Sequence, residues 1–164
     1  MQRHHAAAVL LALLCALALP GCGEPPQAAP DLSVFNEGTQ VYTVRGEIVQ
    51  LPAKGPPPQS LKIHHEHIPE FVGRTGAVHI NNDGVPGMKA MVMEFPEIAP
   101  GVSLDGFKPG DRVAFEMKVK WTDSPGGAKT ARWLVSAIER LPEGTELSFE
   151  NKAAPAGAPG ADGP

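Results

Sequence analysis

The sequence predicts an all-β protein, a small five-stranded barrel flanked by irregular ends. Apolar and polar residues alternate over several short stretches, which is typical of strands with one buried face. The central part carries no long helical pattern of apolar residues. The whole chain of 164 residues contains 18 Gly and 18 Pro, concentrated between and outside the alternating stretches. There they predict turns, loops and disordered ends.

Five segments carry the alternating pattern: residues 40–51, 60–68, 89–95, 111–121 and 129–141. Gly46 in the first segment predicts a bulge or bend. The end of the last segment, VSAIERL, is also compatible with a helix, and SLDGFKPGD before the fourth has room for one helical turn. AVHINNDGV predicts an extra hairpin with Asp83 and Gly84 at its turn. Five short strands fit a closed barrel of the OB type better than a sandwich.

The N-terminus has the character of a secretory signal. The apolar run at residues 6–19 is too short for an ordinary membrane span, and small residues precede Cys22. Leu19-Pro20-Gly21-Cys22 resembles a bacterial lipobox, in which the cysteine becomes the lipidated first residue, so we expect a membrane-anchored periplasmic lipoprotein. The alternative is a plain signal peptide cleaved elsewhere. The expected organisation is a signal peptide (1–21), a lipidated tether (22–39), the barrel domain (40–149) and a disordered Pro/Gly/Ala tail (150–164).

Composition excludes several classes of function. Cleavage before Cys22 removes Cys15, so the mature chain has no free thiol and no disulfide, and thiol catalysis and cysteine-ligated zinc are excluded. Loss of Arg3 leaves 13 of the 14 basic residues against 18 acidic ones, a net charge of −5. A net acidic chain without a basic cluster argues against a nucleic-acid partner.

Methionine is concentrated in one predicted strand. Three of the five methionines, Met88, Met91 and Met93, lie in GMKAMVMEF. Positions two apart in a strand share a face, so Met91 and Met93 point the same way. Their simplest role is core packing by a flexible apolar side chain, and their number in one element is what favours a second role as ligands.

The preceding predicted strand holds three histidines in IHHEHI. Alternation places His65 and His67 on one face and His64 on the other; His79 is the one further histidine after the signal. Thioether sulfur and imidazole together suit Cu(I) and Ag(I), and suit Zn(II), Mg(II) or Ca(II) badly. Two alternatives remain open: a non-metal OB interaction module with exposed histidines, and a Cu(II) site made by the histidines alone.

IHHEHI, MKAMVMEF and KPGDRVAFEMKV together resemble the CusF-type family of periplasmic copper- and silver-binding proteins, over residues 42–141. The resemblance implies a small OB barrel in which His65, Met91 and Met93 bind Cu(I) or Ag(I). Better-known members carry a tryptophan three residues before the first methionine, where this chain has Met88, as in related Met-x-x-Met-x-Met sequences. We therefore expect Met88 as a third sulfur ligand. The insertion GRTGAVHINNDGVPG between the histidines and the methionines is longer than the short link of the family.

The resemblance implies a metallochaperone rather than an enzyme. Such a protein passes its ion to a transient partner, either an efflux pump or a factor that assembles copper into an oxidase, and the sequence does not choose between them. The chain has no phosphate-binding glycine loop and no Gly-x-Ser-x-Gly elbow. HHEHIPE lacks the His-Glu-x-x-His spacing of a metalloprotease helix. Trp121 and Trp133 are interpreted as packing residues of the core or barrel rim, with a place near the metal as the alternative.

Overall fold

The computed structural model of the protein describes residues 30–151; the signal peptide, Cys22, the first part of the predicted tether and most of the predicted tail lie outside them. Within that range the chain forms strands and no α-helix, which confirms the all-β class. A short 3-10 helix, Ser33–Phe35, comes first. The strands are β1 (Gln40–Gln50), β2 (Leu61–His65), β3 (Met91–Phe95), β4 (Glu97–Ile98), β5 (Arg112–Asp123) and β6 (Lys129–Arg140).

The six strands form one curled sheet in the order β3-β2-β1-β5-β6-β4. Neighbours are antiparallel, except that β4 runs parallel to β6. The two edge strands, β3 and β4, are consecutive parts of one extended segment separated by Pro96. Proline has no N–H to donate and interrupts the pairing there. The sheet is therefore an OB-type half-barrel. It has six strands where five were predicted, because the predicted third strand forms β3 and the residues just after it form β4 at the other edge.

The core lies inside the curl and follows the predicted alternation. On β5 every second residue is buried, and the same holds for the inner positions of β1 and β2. Phe95 and Phe115 meet edge to face at 5.4 Å between ring centroids. The segment VSAIERL continues as strand β6 as far as Arg140, because it pairs with β5 along its length. The buried residues of this cluster include Val44, Ile48, Leu61, Ile63, Val113, Phe115, Met117 and Val119.

The connections differ from the sequence expectations in two places. SLDGFKPGD contains turns, such as the bond from Phe107 N to Leu104 O at 3.2 Å, and no helical turn. β2 ends at His65, three residues earlier than predicted; Glu66 N still bonds to Arg45 O of β1, and Ile68 then pairs with Met88 instead. The extra hairpin is present as isolated bridges, and Gly84 N donates to Asn81 O at its turn.

Both ends of the described chain pack on the barrel. Phe35 is buried, and the Arg132 guanidinium lies 5.4 Å from the centre of its ring. At the other end, Phe149 and Asn151 contact the segments that carry the histidines and methionines. Between residues 30 and 151 no helix is long and apolar enough to cross a membrane.

Candidate metal site

Two neighbouring strands place one histidine and two methionines on the inner face of the sheet. In the antiparallel pairing of β2 with β3, His65 lies opposite Met91, and Ile63 lies opposite Met93. Opposite residues point to the same face with about 4.5–5.5 Å between their Cβ atoms. Residues two apart on one strand share that face as well. His65, Met91 and Met93 therefore form one contiguous cluster.

This cluster runs from the interior to the surface. His65 is 0% exposed, Met93 is 8% exposed and Met91 is 49% exposed. Met91 is the first residue of β3, so its side chain stands at the rim of the barrel. Solvent therefore reaches the cluster through Met91.

The His65 ring is prepared to act as a ligand. Its Nδ1 lies 2.7 Å from Glu66 O, and a carbonyl can only accept, so Nδ1 carries the proton. The lone pair is therefore on Nε2, which is buried and has no hydrogen-bond partner among residues 30–151. Burial holds the pKa of His65 below its ordinary value of 6.5. The hydrogen bond to the Glu66 carbonyl raises this pKa, and the nearby His64 and His67 lower it further. The ring is thus neutral, as a metal-binding imidazole must be.

The carbonyl that orients this ring is itself held in place. Glu66 N donates to Arg45 O at 2.9 Å. The Glu66 carboxylate accepts from Arg45 Nε at 2.8 Å and Arg45 Nη2 at 3.0 Å, and Ser148 N donates to it at 2.6 Å. Hydrogen bonds that orient a histidine ligand fix its tautomer and ring direction, and their loss typically lowers metal affinity about 10–100-fold. Arg45 and Glu66 are therefore positioning residues for His65.

A glycine lets β1 pass close behind His65. Gly46 is the partner of His65 in the β1–β2 register, and a Cβ on it would lie 2.6 Å from His64 O and 2.7 Å from Ile63 Cγ2. The predicted bulge at Gly46 is wrong, because the register shift occurs between Ile48 and Gln50. Gly46 is required for close approach rather than for a change of strand direction.

Met88 precedes β3 and forms an isolated bridge with Ile68. Its N–H and carbonyl each bond to Ile68 at 2.9 Å. Gly87 before it has φ of +79°, and a Cβ there would lie 2.0 Å from Ile68 O. The chain thus bends at Gly87, and Met88 and Met91 line the same groove, although simple alternation would separate them.

The other two histidines of IHHEHI have other partners. His64 stacks on Phe149, with ring centroids 3.8 Å apart and 7° between planes. His67 lies beyond the end of β2, so strand alternation does not fix its direction, and its Nε2 donates to Pro86 O at 2.7 Å. In the described part of the chain no three His, Cys, Asp or Glu side chains converge as a metal site.

A groove of about 500 Å³ opens beside Met91, and sequence reasoning did not find it. Its walls come from β5, β6 and the insertion after β2. Nothing in the strand pattern shows that the insertion folds back over the barrel rim. Trp121 and Trp133 line the groove beside Met91 and also pack against the core, so each has the predicted packing role and a place near the candidate ligands. The lining of the groove includes Phe71, His79, Met88, Met91, Trp121 and Trp133.

No protein-family model and no curated protein sequence matches this chain. Among solved structures the chain is similar to apo-CusF, residues 6–88, from Escherichia coli. The two share 21% sequence identity over 65% of this chain and 93% of that chain, with a TM-score of 0.36. The grounds for a metal site are the strand register and the burial described above.

Proposed function

We propose that this protein binds one Cu(I) or Ag(I) ion through His65, Met91 and Met93, with Met88 as a further sulfur ligand. The observation that carries the proposal is the buried His65 Nε2, which has no hydrogen-bond partner in residues 30–151 and lies beside methionines. An unsatisfied buried polar atom costs about 1–3 kcal/mol, and a metal bond removes that cost. A neutral nitrogen with thioether sulfurs prefers soft monovalent ions.

The same ligands favour a carrier of the ion over an enzyme. Thioethers hold Cu(I) without the charge of a thiolate, and the exposed Met91 offers an approach for an incoming ligand. The ion then passes to a partner protein by stepwise exchange of ligands. The proposed partner is an efflux pump or an oxidase copper-assembly factor. The proposed location is the periplasm, with a lipid anchor at Cys22.

Titration of the mature chain with Cu(I), under reductant and against a chromophoric chelator, tests the site. We expect one ion per chain, and we expect Met91→Leu with Met93→Leu to weaken binding at least about tenfold. Met117→Leu is the matched control, because Met117 is fully buried on β5, which pairs with β1 and β6 instead of β2 or β3. Equal affinity of the double variant and the control would place the site elsewhere.

A pair of histidine variants separates this function from its alternatives. His65→Ala removes the inward ligand, whereas His64→Ala removes a ring stacked on Phe149 outside the barrel. We expect a large loss of Cu(I) affinity for His65→Ala alone. Binding that needs no reductant and depends on both rings would indicate a Cu(II) site. A protein that copper does not stabilise at all would instead be an interaction module.

A further inference from the structure

The insertion between β2 and β3 brings a fourth histidine to the methionines. His79 and Met88 both line the groove that opens at Met91. Two hydrogen bonds hold the backbone of His79 in place: its N–H donates to Phe71 O at 2.9 Å, and its carbonyl accepts from Gly87 N at 2.6 Å. The residue that follows Gly87 is Met88, so these bonds fix His79 relative to the first methionine.

The His79 ring lies beside another lining residue, Gly73. A Cβ on Gly73 would lie 3.4 Å from His79 Cβ and 3.6 Å from His79 Nδ1. Within residues 30–151 the ring makes no hydrogen bond or ion pair. The groove is thus lined by one histidine and two methionines, the same residue types as the buried cluster.

We propose that His79, Met88 and Met91 form an outer binding position for the same soft ion, through which it reaches and leaves the inner position at His65 and Met93. This inference rests on the proposed function, because it concerns the path of that ion. Met88 and Met91 belong to both positions: both line the groove, Met91 lies opposite His65, and Met88 is the further sulfur ligand of the proposed site. In the inward step the bond from the ion to His79 breaks as a bond to His65 Nε2 forms, and the charge of the ion does not change.

The burial of the inner ligands gives the physical reason for two positions. His65 and Met93 lie behind Met91, and a bare ion cannot be moved there without a large desolvation cost. Donors at the groove replace the water ligands first, so the ion is never without partners on its way in. The reverse order of bonds releases it toward an acceptor at the surface.

The charged side chains around the groove favour weak, short-lived binding of the ion at the outer position. Lys89 lines it but forms an ion pair with Asp83. Arg74 also lines it, and its positive charge opposes a resident cation. An outer position with neutral ligands beside a cationic side chain therefore holds the ion less tightly than the inner one.

Ag(I), which needs no reductant, is the probe for two experiments on the full mature chain. The first follows transfer between the protein and a chelator by stopped flow. Both tryptophans of the chain line the groove, so their fluorescence reports the ion directly. We expect His79→Ala to slow uptake and release roughly tenfold, and the control His64→Ala to keep the wild-type rates.

The second experiment uses His65→Ala, which leaves only the outer position. We expect Ag(I) to shift the 15N resonances of the His79 ring in this variant, and the remaining binding to disappear when His79→Ala is added. Wild-type rates in His79→Ala together with an unshifted His79 ring would overturn the outer position while the inner site stands. Failure of the wild-type chain to bind Ag(I) would instead overturn the proposed function, and this inference with it.

Discussion

Gly87→Ala is expected to destabilise the folded protein more than Gly84→Ala, although the two glycines have the same φ. Both have φ of +79°, so an L side chain is strained at either position. They differ in their surroundings. An added Cβ at Gly84 meets nothing within 4 Å, whereas at Gly87 it would lie 2.0 Å from Ile68 O and 2.6 Å from Pro69 Cα.

These contacts set the size of the effect. The left-handed conformation costs an L residue about 1–2 kcal/mol, and this applies to both variants. At Gly87 the collision is with backbone atoms, so the Ile68–Met88 bridge must open. That loses two hydrogen bonds of 2.9 Å, each with a net value of about 0.5–1.5 kcal/mol. We expect Gly84→Ala to destabilise by about 1–2 kcal/mol and Gly87→Ala by about 2–5 kcal/mol.

Urea unfolding of both variants measures the difference, provided that the denaturant slope stays constant. Cu(I) titration then follows the displacement of Met88, and we expect weaker binding for Gly87→Ala and wild-type affinity for Gly84→Ala. Equal stabilities within about 0.5 kcal/mol would refute the argument from close approach. Equal copper affinities would show that the bend at Gly87 does not serve the site.

Three further predictions concern the anchor, the third sulfur and pH. Cys22→Ser is expected to release the protein from membranes, because two or more acyl chains are needed for a stable anchor; an intact mass with an unmodified terminus after residue 22 would contradict this. Met88→Leu is expected to lower the sulfur-to-nitrogen ratio in X-ray absorption of the Cu(I) form and to weaken Cu(I) binding. If the substitution changed neither the ratio nor the affinity, Met88 would not be a ligand and the site would contain two methionines. Since the pKa of His65 in the folded protein lies below 6.5, the unfolded chain binds more protons below that pH. The contribution of His65 to the stability of the apoprotein is therefore fully present above pH 6.5, and it falls by up to about 1.4 kcal/mol per pH unit as pH falls toward the folded pKa. In chemical unfolding across this range His65→Gln should show a flatter dependence, and parallel curves would refute the role of His65.

The strand pattern was sufficient to predict the strands of the barrel and to place the proposed ligands His65, Met91 and Met93 on one face, because burial on one face imposes a period of two on the sequence. On β5 the predicted inner residues are the buried ones, and the register of β2 with β3 brings His65 to Met91. Alternation failed for His67, because the strand ends before it. It was also insufficient for Met88, whose direction depends on a left-handed glycine and on a bridge to Ile68.

The sequence by itself determined which donors the proposed site can use, since the scarcity of cysteine and the concentration of methionine and histidine favour neutral thioether and imidazole donors. Only the tertiary structure decided which donors meet. The buried lone pair of His65 depends on Glu66, Arg45 and Ser148, and the last of these is 82 positions from Glu66 in the chain. The groove joins His79 to Trp121 and Trp133 from different strands. Such contacts follow from how the sheet curls and how the insertion folds back, and local periodicity carries no information about either.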